Sequence, residues 1–287
     1  MDKKKKKNQI ITATFVLPAL LVFVFTIVIP LVSGIKIAFT NWNGLATDYQ
    51  FVGFKNLWIL LKDKQIIRPI ENTLFYTVAT VIVINSMGLL MAIALNRKFR
   101  GAKTLRALIF SPMITSLVIA SFIWAYIFRD VFPRVFGIEG FLGNPKTVMY
   151  AIILICIWRD TGFCAIIYSA GLSAVPDDLL EAAAIDGANR WQRFRMVTFK
   201  MIAPAFTNCI TLWIGYGLKC YDYPVAATGG GPGQSSQTIT MYVFQQMFQN
   251  NRAGYGQMGA LVLTILIIII TSVITYILRK REDDIYG

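Results

Sequence analysis

Two long stretches without a single charged residue decide the class of this chain. Residues 10–35 and 259–278 are continuous apolar runs. Each reaches the roughly 20 residues that an α-helix needs to cross a bilayer. Four more runs, at about 69–95, 107–128, 147–172 and 201–221, carry few charges: Glu71 in the second run, Arg159 and Asp160 in the fourth, Lys219 in the fifth. Transmembrane β-strands would show short alternating segments instead of solid apolar runs. The expected class is therefore an all-α polytopic membrane protein with six spans. Composition agrees, since only 15% of residues are charged, against about 25% in soluble domains.

The charges between the spans give an orientation. The chain carries a net +13. Lys and Arg cluster at residues 3–7, 97–106, 190–200 and 279–281, and these segments hold more than twice as many as the three loops on the other face. The positive-inside rule then places both termini on the cytoplasmic side of a cell membrane, with residues 1–9 as a polybasic N-terminus that also attracts anionic lipid. Residues 10–287 read as one membrane domain. The dispersal of the charge between spans argues against a nucleic-acid partner.

Several chemistries are excluded by residue type. The chain has no histidine, which removes Ser-His-Asp catalysis, histidine metal sites and histidine proton relays. Cys156, Cys164, Cys209 and Cys220 sit in or beside apolar runs without CxxC spacing, so they read as small buried side chains and no metal site is expected. No GxxxxGK[ST] motif occurs. The Gly-rich run from Thr228 to Gly233 lacks the lysine and contains Pro232, which suits a tight turn.

The longest polar segment between spans is residues 176–200. Pro176 suits a helix start, and Asp177 and Asp178 suit its positive end. Ala182, Ala183 and Ala184 leave one face with little bulk, Glu181 adds a fixed charge beside it, and Gly187 ends or bends the helix. These residue types fit a docking handle for another protein and fit equally a connecting helix lying flat on the lipid.

A resemblance separates the two. Glu181-Ala182-Ala183, with Gly187, Ile202 and Pro204 downstream, resembles the EAA loop of the membrane subunits of binding-protein-dependent ABC importers, in the form found in the maltose-type carbohydrate branch. Phe39 to Gly44, Phe51 to Asn56, Asn72-Thr73-Leu74, and Lys219 to Asp222 leading to Thr228 to Pro232 are similar to other stretches of that family, in the same order. Phe199-Lys200-Met201 and Pro224 depart from its usual residues. The resemblance implies a type I importer permease fold and a transport subunit that is not itself an enzyme. It implies a coupling role for Glu181, Ala182, Ala183, Asp186 and Gly187. The implied partners are a second homologous permease, a cytoplasmic ABC ATPase dimer that binds ATP and Mg, an extracellular solute-binding protein and a carbohydrate. Gly230, Gly231 and Pro232 would lie near the surface that meets the binding protein.

Sugars are held by aromatic faces together with hydrogen-bonding groups. Trp158, Trp213, Tyr216, Tyr221 and Asp222 offer that chemistry in the fourth and fifth spans. Lys219 and Asp222 are spaced i, i+3, so a continuing helix would let them neutralise each other. Arg159 and Asp160 point about 100° apart on a helix, so each is expected to find its partner on another helix. A cargo other than sugar, such as a glycerophosphate-type polyol or a peptide, is the alternative within the class. A stand-alone secondary transporter would have no use for a coupling helix.

Overall fold

In the computed structural model, the described residues are 3–96, 100–137 and 139–286. Arg97 and Lys98 of the basic loop lie outside them, as do the side chains of Lys3 to Lys7. The helices are α1 (Lys3–Phe23), α2 (Ile29–Ala38), α3 (Lys55–Lys62), α4 (Ile67–Leu95), α5 (Ala102–Ile114), α6 (Leu117–Tyr126), α7 (Phe132–Phe136), α8 (Val148–Ser173), α9 (Asp177–Ile185), α10 (Arg190–Arg193), α11 (Phe199–Met201), α12 (Ala203–Leu218), α13 (Asp222–Thr228), α14 (Ile239–Phe248) and α15 (Ala253–Tyr286). π-helical turns over Val24–Val28, Ile127–Val131 and Phe194–Thr198 join α1 to α2, α6 to α7 and α10 to α11. The described residues contain no strand beyond one isolated bridge between Thr40 and Phe51.

Four continuous helical stretches are long and apolar enough to cross a membrane: Thr14–Ala38, Lys64–Leu95, Val148–Ser173 and Ala253–Glu282. The other two expected spans are each broken. Ala102–Ile114 and Leu117–Phe136 meet at 100°, and Arg190–Met201 and Ala203–Leu218 meet at 64°. The third run is thus not one straight helix, and with each bent pair counted as one span the described residues hold six. Pro112 lies inside α5, two residues before that helix ends, and a helix-interior proline removes a backbone hydrogen bond. Pro204 sits in the first turn of α12, where its missing N–H costs nothing.

The chain divides into two compact units. The first comprises the residues through Asp63 with Val243–Thr264. Here the loop after α2 is held by its own asparagines. Asn41 Oδ1 accepts the Gln50 N–H at 2.7 Å, Asn43 Oδ1 accepts from Leu45 and Ala46, and Asn56 Nδ2 donates to the carbonyls of Ala38 and Thr40, both at 2.8 Å. Gly254 is built in close: its N–H donates to the Trp42 carbonyl at 2.8 Å, and a Cβ there would lie 2.1 Å from the Thr40 carbonyl oxygen. Tyr255 donates to Asp63 at 2.5 Å.

The second unit, Lys64–Tyr242 with the residues from Ile265 onward, is built on α4, α8 and α12, which pack on one another. Its core includes Tyr76, Ile84, Ala92, Ile152, Ile155, Tyr168, Leu172, Cys209 and Trp213. Apolar surface gains little by leaving lipid, so close packing and internal hydrogen bonds hold such helices together. Gly217 on α12 lies so near α4 that a Cβ would fall 2.9 Å from Thr77 Cα. The hydroxyls of Thr73, Thr77 and Thr80 bond back to carbonyls one turn earlier. Asn85 accepts from the Tyr168 hydroxyl at 2.8 Å. The four cysteines are free and buried.

Candidate functional site

Within the second unit, α4, α8 and α12 leave a cavity of about 550 Å³ at the end of α12. Tyr76 of α4 and Arg159, Asp160 and Phe163 of α8 line one side. Trp213, Tyr216 and Gly217 of α12, and the turn from Lys219 to Tyr223 that leads into α13, line another. Met113 and Leu117, on either side of the break between α5 and α6, complete the wall.

The floor is a buried polar knot. Arg159 Nη1 donates to Asp160 Oδ1 at 2.7 Å and to the Tyr223 hydroxyl at 3.3 Å, while Arg159 Nε donates to the Thr115 carbonyl at 3.1 Å. Tyr223 donates in turn to the other oxygen of Asp160. The Thr115 carbonyl stands at the 100° break, where the α-helical ladder stops, and Arg159 supplies the donor that apolar surroundings withhold. One guanidinium therefore joins α8, α13 and the broken third span. Each residue thus has a partner on another helix, as expected, Arg159 at Thr115 and Tyr223 and Asp160 at Tyr223, and the mutual pair adds to these. They pair with each other, because the long arginine side chain reaches back across the offset of their Cα positions.

Lys219 and Asp222 do not form the expected pair. No ion pair joins them among the described residues. The reason is that α12 ends at Leu218 and α13 starts at Asp222, so no helical turn connects the two. Lys219 Nζ instead sits 5.0 Å from the centroid of the Tyr216 ring, a cation–π contact. Tyr216 is half exposed, and its ring lies 5.7 Å from that of Trp213. Trp213 is buried, and its indole N–H points at Cys164 Sγ at 3.0 Å.

Of the five residues chosen for sugar chemistry, Trp213, Tyr216, Tyr221 and Asp222 line this cavity. Trp158 is not among its lining residues; its ring packs edge-on against Trp124 at 5.9 Å. Tyr223, Tyr76 and Phe163 were missed. An aromatic residue in an apolar run looks the same in sequence whether it packs or lines a cavity. The Tyr221-Asp222-Tyr223 run beside Lys219 was the one available signal for Tyr223.

The Gly-rich loop closes on itself beside this cavity. Gly229, Gly230 and Gly233 have left-handed φ values of 61°, 93° and 56°. Ser236 bonds to the Gly231 carbonyl and to the Thr228 hydroxyl, both at 2.8 Å. Thr238 donates to the Cys220 carbonyl, and Asn72 of α4 donates to the Gln237 carbonyl at 2.9 Å. Gly230 is buried, and Gly231 and Pro232 are half-buried.

Residues 176–200 form a second candidate surface. Pro176 precedes α9 in extended conformation, and Asp177 and Asp178 fill its first turn. The helix ends in a Schellman motif: Gly187 has φ +83°, its N–H donates to the Ala184 carbonyl, and the Ala188 N–H donates to the Ala183 carbonyl. Asn189 and Gln192 then form a capping box that starts α10. Glu181, Ala182, Asp186 and Gly187 are exposed and Ala183 is half-buried. Ile185 is 86% exposed, so the helix tip presents an apolar side chain that the described residues do not cover. At 1.5 Å per residue, α12 sets its start, next to this segment in the chain, about 24 Å from the cavity end.

Comparison with known proteins gives the chain a family. The sequence model of the family "binding-protein-dependent transport system inner membrane component" matches residues 84–283, from within α4 nearly to the end of α15. The chain is 34% identical over 292 residues to a probable starch degradation products transport system permease protein, AmyD, of Thermoanaerobacterium thermosulfurigenes, covering 99% of this chain and 100% of that one. It is 32% identical to the multiple sugar-binding transport system permease protein MsmF of Streptococcus mutans, covering 99% and 100%. A solved chain of a bacterial ABC transporter involved in the import of alginate has the same fold, with a TM-score of 0.85 at 21% identity over 96% of this chain and 98% of that one. By the family match over residues 84–283 and by these relatives, the chain belongs to the family of binding-protein-dependent transport system inner membrane components, as an ABC importer permease subunit.

Proposed function

We propose that this chain forms half of the membrane pathway of an ATP-driven carbohydrate importer. The observation that carries the reading is α9: an exposed helix with a small face, a fixed charge at Glu181, an uncovered Ile185 and a Gly187 cap that aims the chain into α10. Such a surface suits close docking of a second protein better than contact with lipid, because Asp177, Asp178, Glu181 and Asp186 crowd one short segment with negative charge. In this reading the partner is a cytoplasmic ABC ATPase dimer, which binds ATP and Mg. The charge bias puts α9 and both termini on the cytoplasmic side. A second, homologous permease supplies the other half of the pathway. A solute-binding protein outside delivers the cargo near the Gly231 and Pro232 turn.

Carbohydrate as cargo is supported by the names of the relatives and by the cavity, which combines the faces of Tyr216 and Tyr221 with the polar groups of Lys219 and Asp222. Closure of the ATPase dimer, passed through α9 to α11 and along α12, would open the cavity outward, and release of the hydrolysis products would reset it. Such a cycle needs ATP to bind the two states with different affinity. A tagged copy purified from its native membrane is expected to bring with it an ATPase identified by mass spectrometry, and to lose it on Glu181→Lys. A wild-type chain that purifies in folded form with no ATPase would count against the reading.

A further inference from the structure

Among the described residues, the charged groups that line the cavity are Arg159, Asp160, Lys219 and Asp222, two of each sign. Their arrangement matters more than their sum. Arg159 is engaged by Asp160 at 2.7 Å, by Tyr223 and by the Thr115 carbonyl. Among the described residues that line the cavity, Lys219 is the cation with no carboxylate partner. It lies over Tyr216, three residues from the exposed carboxylate of Asp222. A ligand carboxylate or phosphate entering here would give up its water for one cation already shared with a ring, and would approach Asp222. A buried charge without its own partner is costly. A neutral polyol meets no such conflict. Asp222 accepts from hydroxyls, Lys219 donates to them, and the Tyr216 ring offers a face to apolar C–H groups.

From this balance we infer that the cavity selects neutral glycans and rejects anionic ones, uronates and sugar phosphates included, with Asp222 setting the preference. The inference rests on the carbohydrate reading above and narrows it. It also separates this chain from the alginate importer whose fold it shares, since that protein's cargo is an acidic polysaccharide.

The test uses the intact membrane complex in nanodiscs without a binding protein, so that only the membrane cavity reports. Saturation-transfer NMR is run with a mixture of neutral trisaccharides and with a mixture of uronate trisaccharides at equal concentration. The wild type is expected to bind the neutral set at least about tenfold more tightly. Asp222→Lys should raise uronate binding by a similar factor, a gain that misfolding cannot imitate. Uronate binding by the wild type equal to or above neutral binding overturns the inference and leaves the carbohydrate reading standing. A preference for neutral sugars that Asp222→Lys does not shift also overturns it, because the selection then lies elsewhere. Binding of neither set defeats the carbohydrate reading, and the inference with it.

Discussion

Arg159 and Asp160 carry the strongest energetic statement available at single residues. Their side chains are 23% and 12% exposed, so removing one partner strands a largely buried charge. Arg159→Met is expected to destabilise the protein by about 3–5 kcal/mol, whereas the double variant Arg159→Met/Asp160→Leu should cost clearly less, because no charge is left unpaired. Thermal unfolding of the purified complex measures both. A double variant as unstable as the single one would show that the Thr115 and Tyr223 contacts, and not charge pairing, are what Arg159 provides. This knot was only half legible in the sequence. The two charges stood out inside an apolar run, but their partners did not. Helical geometry separates adjacent Cβ directions by about 100° and says nothing about how far a guanidinium bends back. Tyr223, which closes the knot, lies 63 residues from Asp160, and no local pattern links them.

At the scale of elements, hydropathy found the six runs but not their breaks. Residues 107–128 contain no charge, so an apolar scan reads straight across the bend at Thr115. The bend is written in Pro112 and in a carbonyl satisfied from α8, and the second of these is a tertiary fact. The end of α12 before Lys219 was hidden for a similar reason, since Cys220 and Tyr221 continue the apolar run. The α9 segment was more legible, because its devices are local: an acidic first turn, small residues and a glycine at the left-handed position. A Cβ at Gly187 would meet nothing within 4 Å, so strain alone penalises its substitution. Gly187→Ala is expected to cost about 1 kcal/mol at the φ of +83°, and Gly187→Asn less. Amide hydrogen exchange at residues 184–188 should accelerate in the alanine variant and recover with asparagine. Equal exchange in all three proteins would mean that the cap does not hold the segment.

At the scale of the whole molecule, the proposed function gives different duties to two places in the second unit. One is the exposed α9 surface, and the other is the cavity at the far end of α12, tied by Arg159 to the broken third span and by Thr238 to the Gly-rich loop. The link between these places is the central claim: energy enters at Glu181 and is spent at the cavity. The most direct measurement is ATP-driven sugar uptake into proteoliposomes prepared with all the transporter's subunits and either the wild-type chain or Glu181→Lys. Glu181 is exposed and lies outside the packed core, so the variant is expected to insert and to melt like the wild type. Its uptake should fall to the level seen without ATP. Uptake at the wild-type rate by a normally inserted Glu181→Lys protein would contradict the claim.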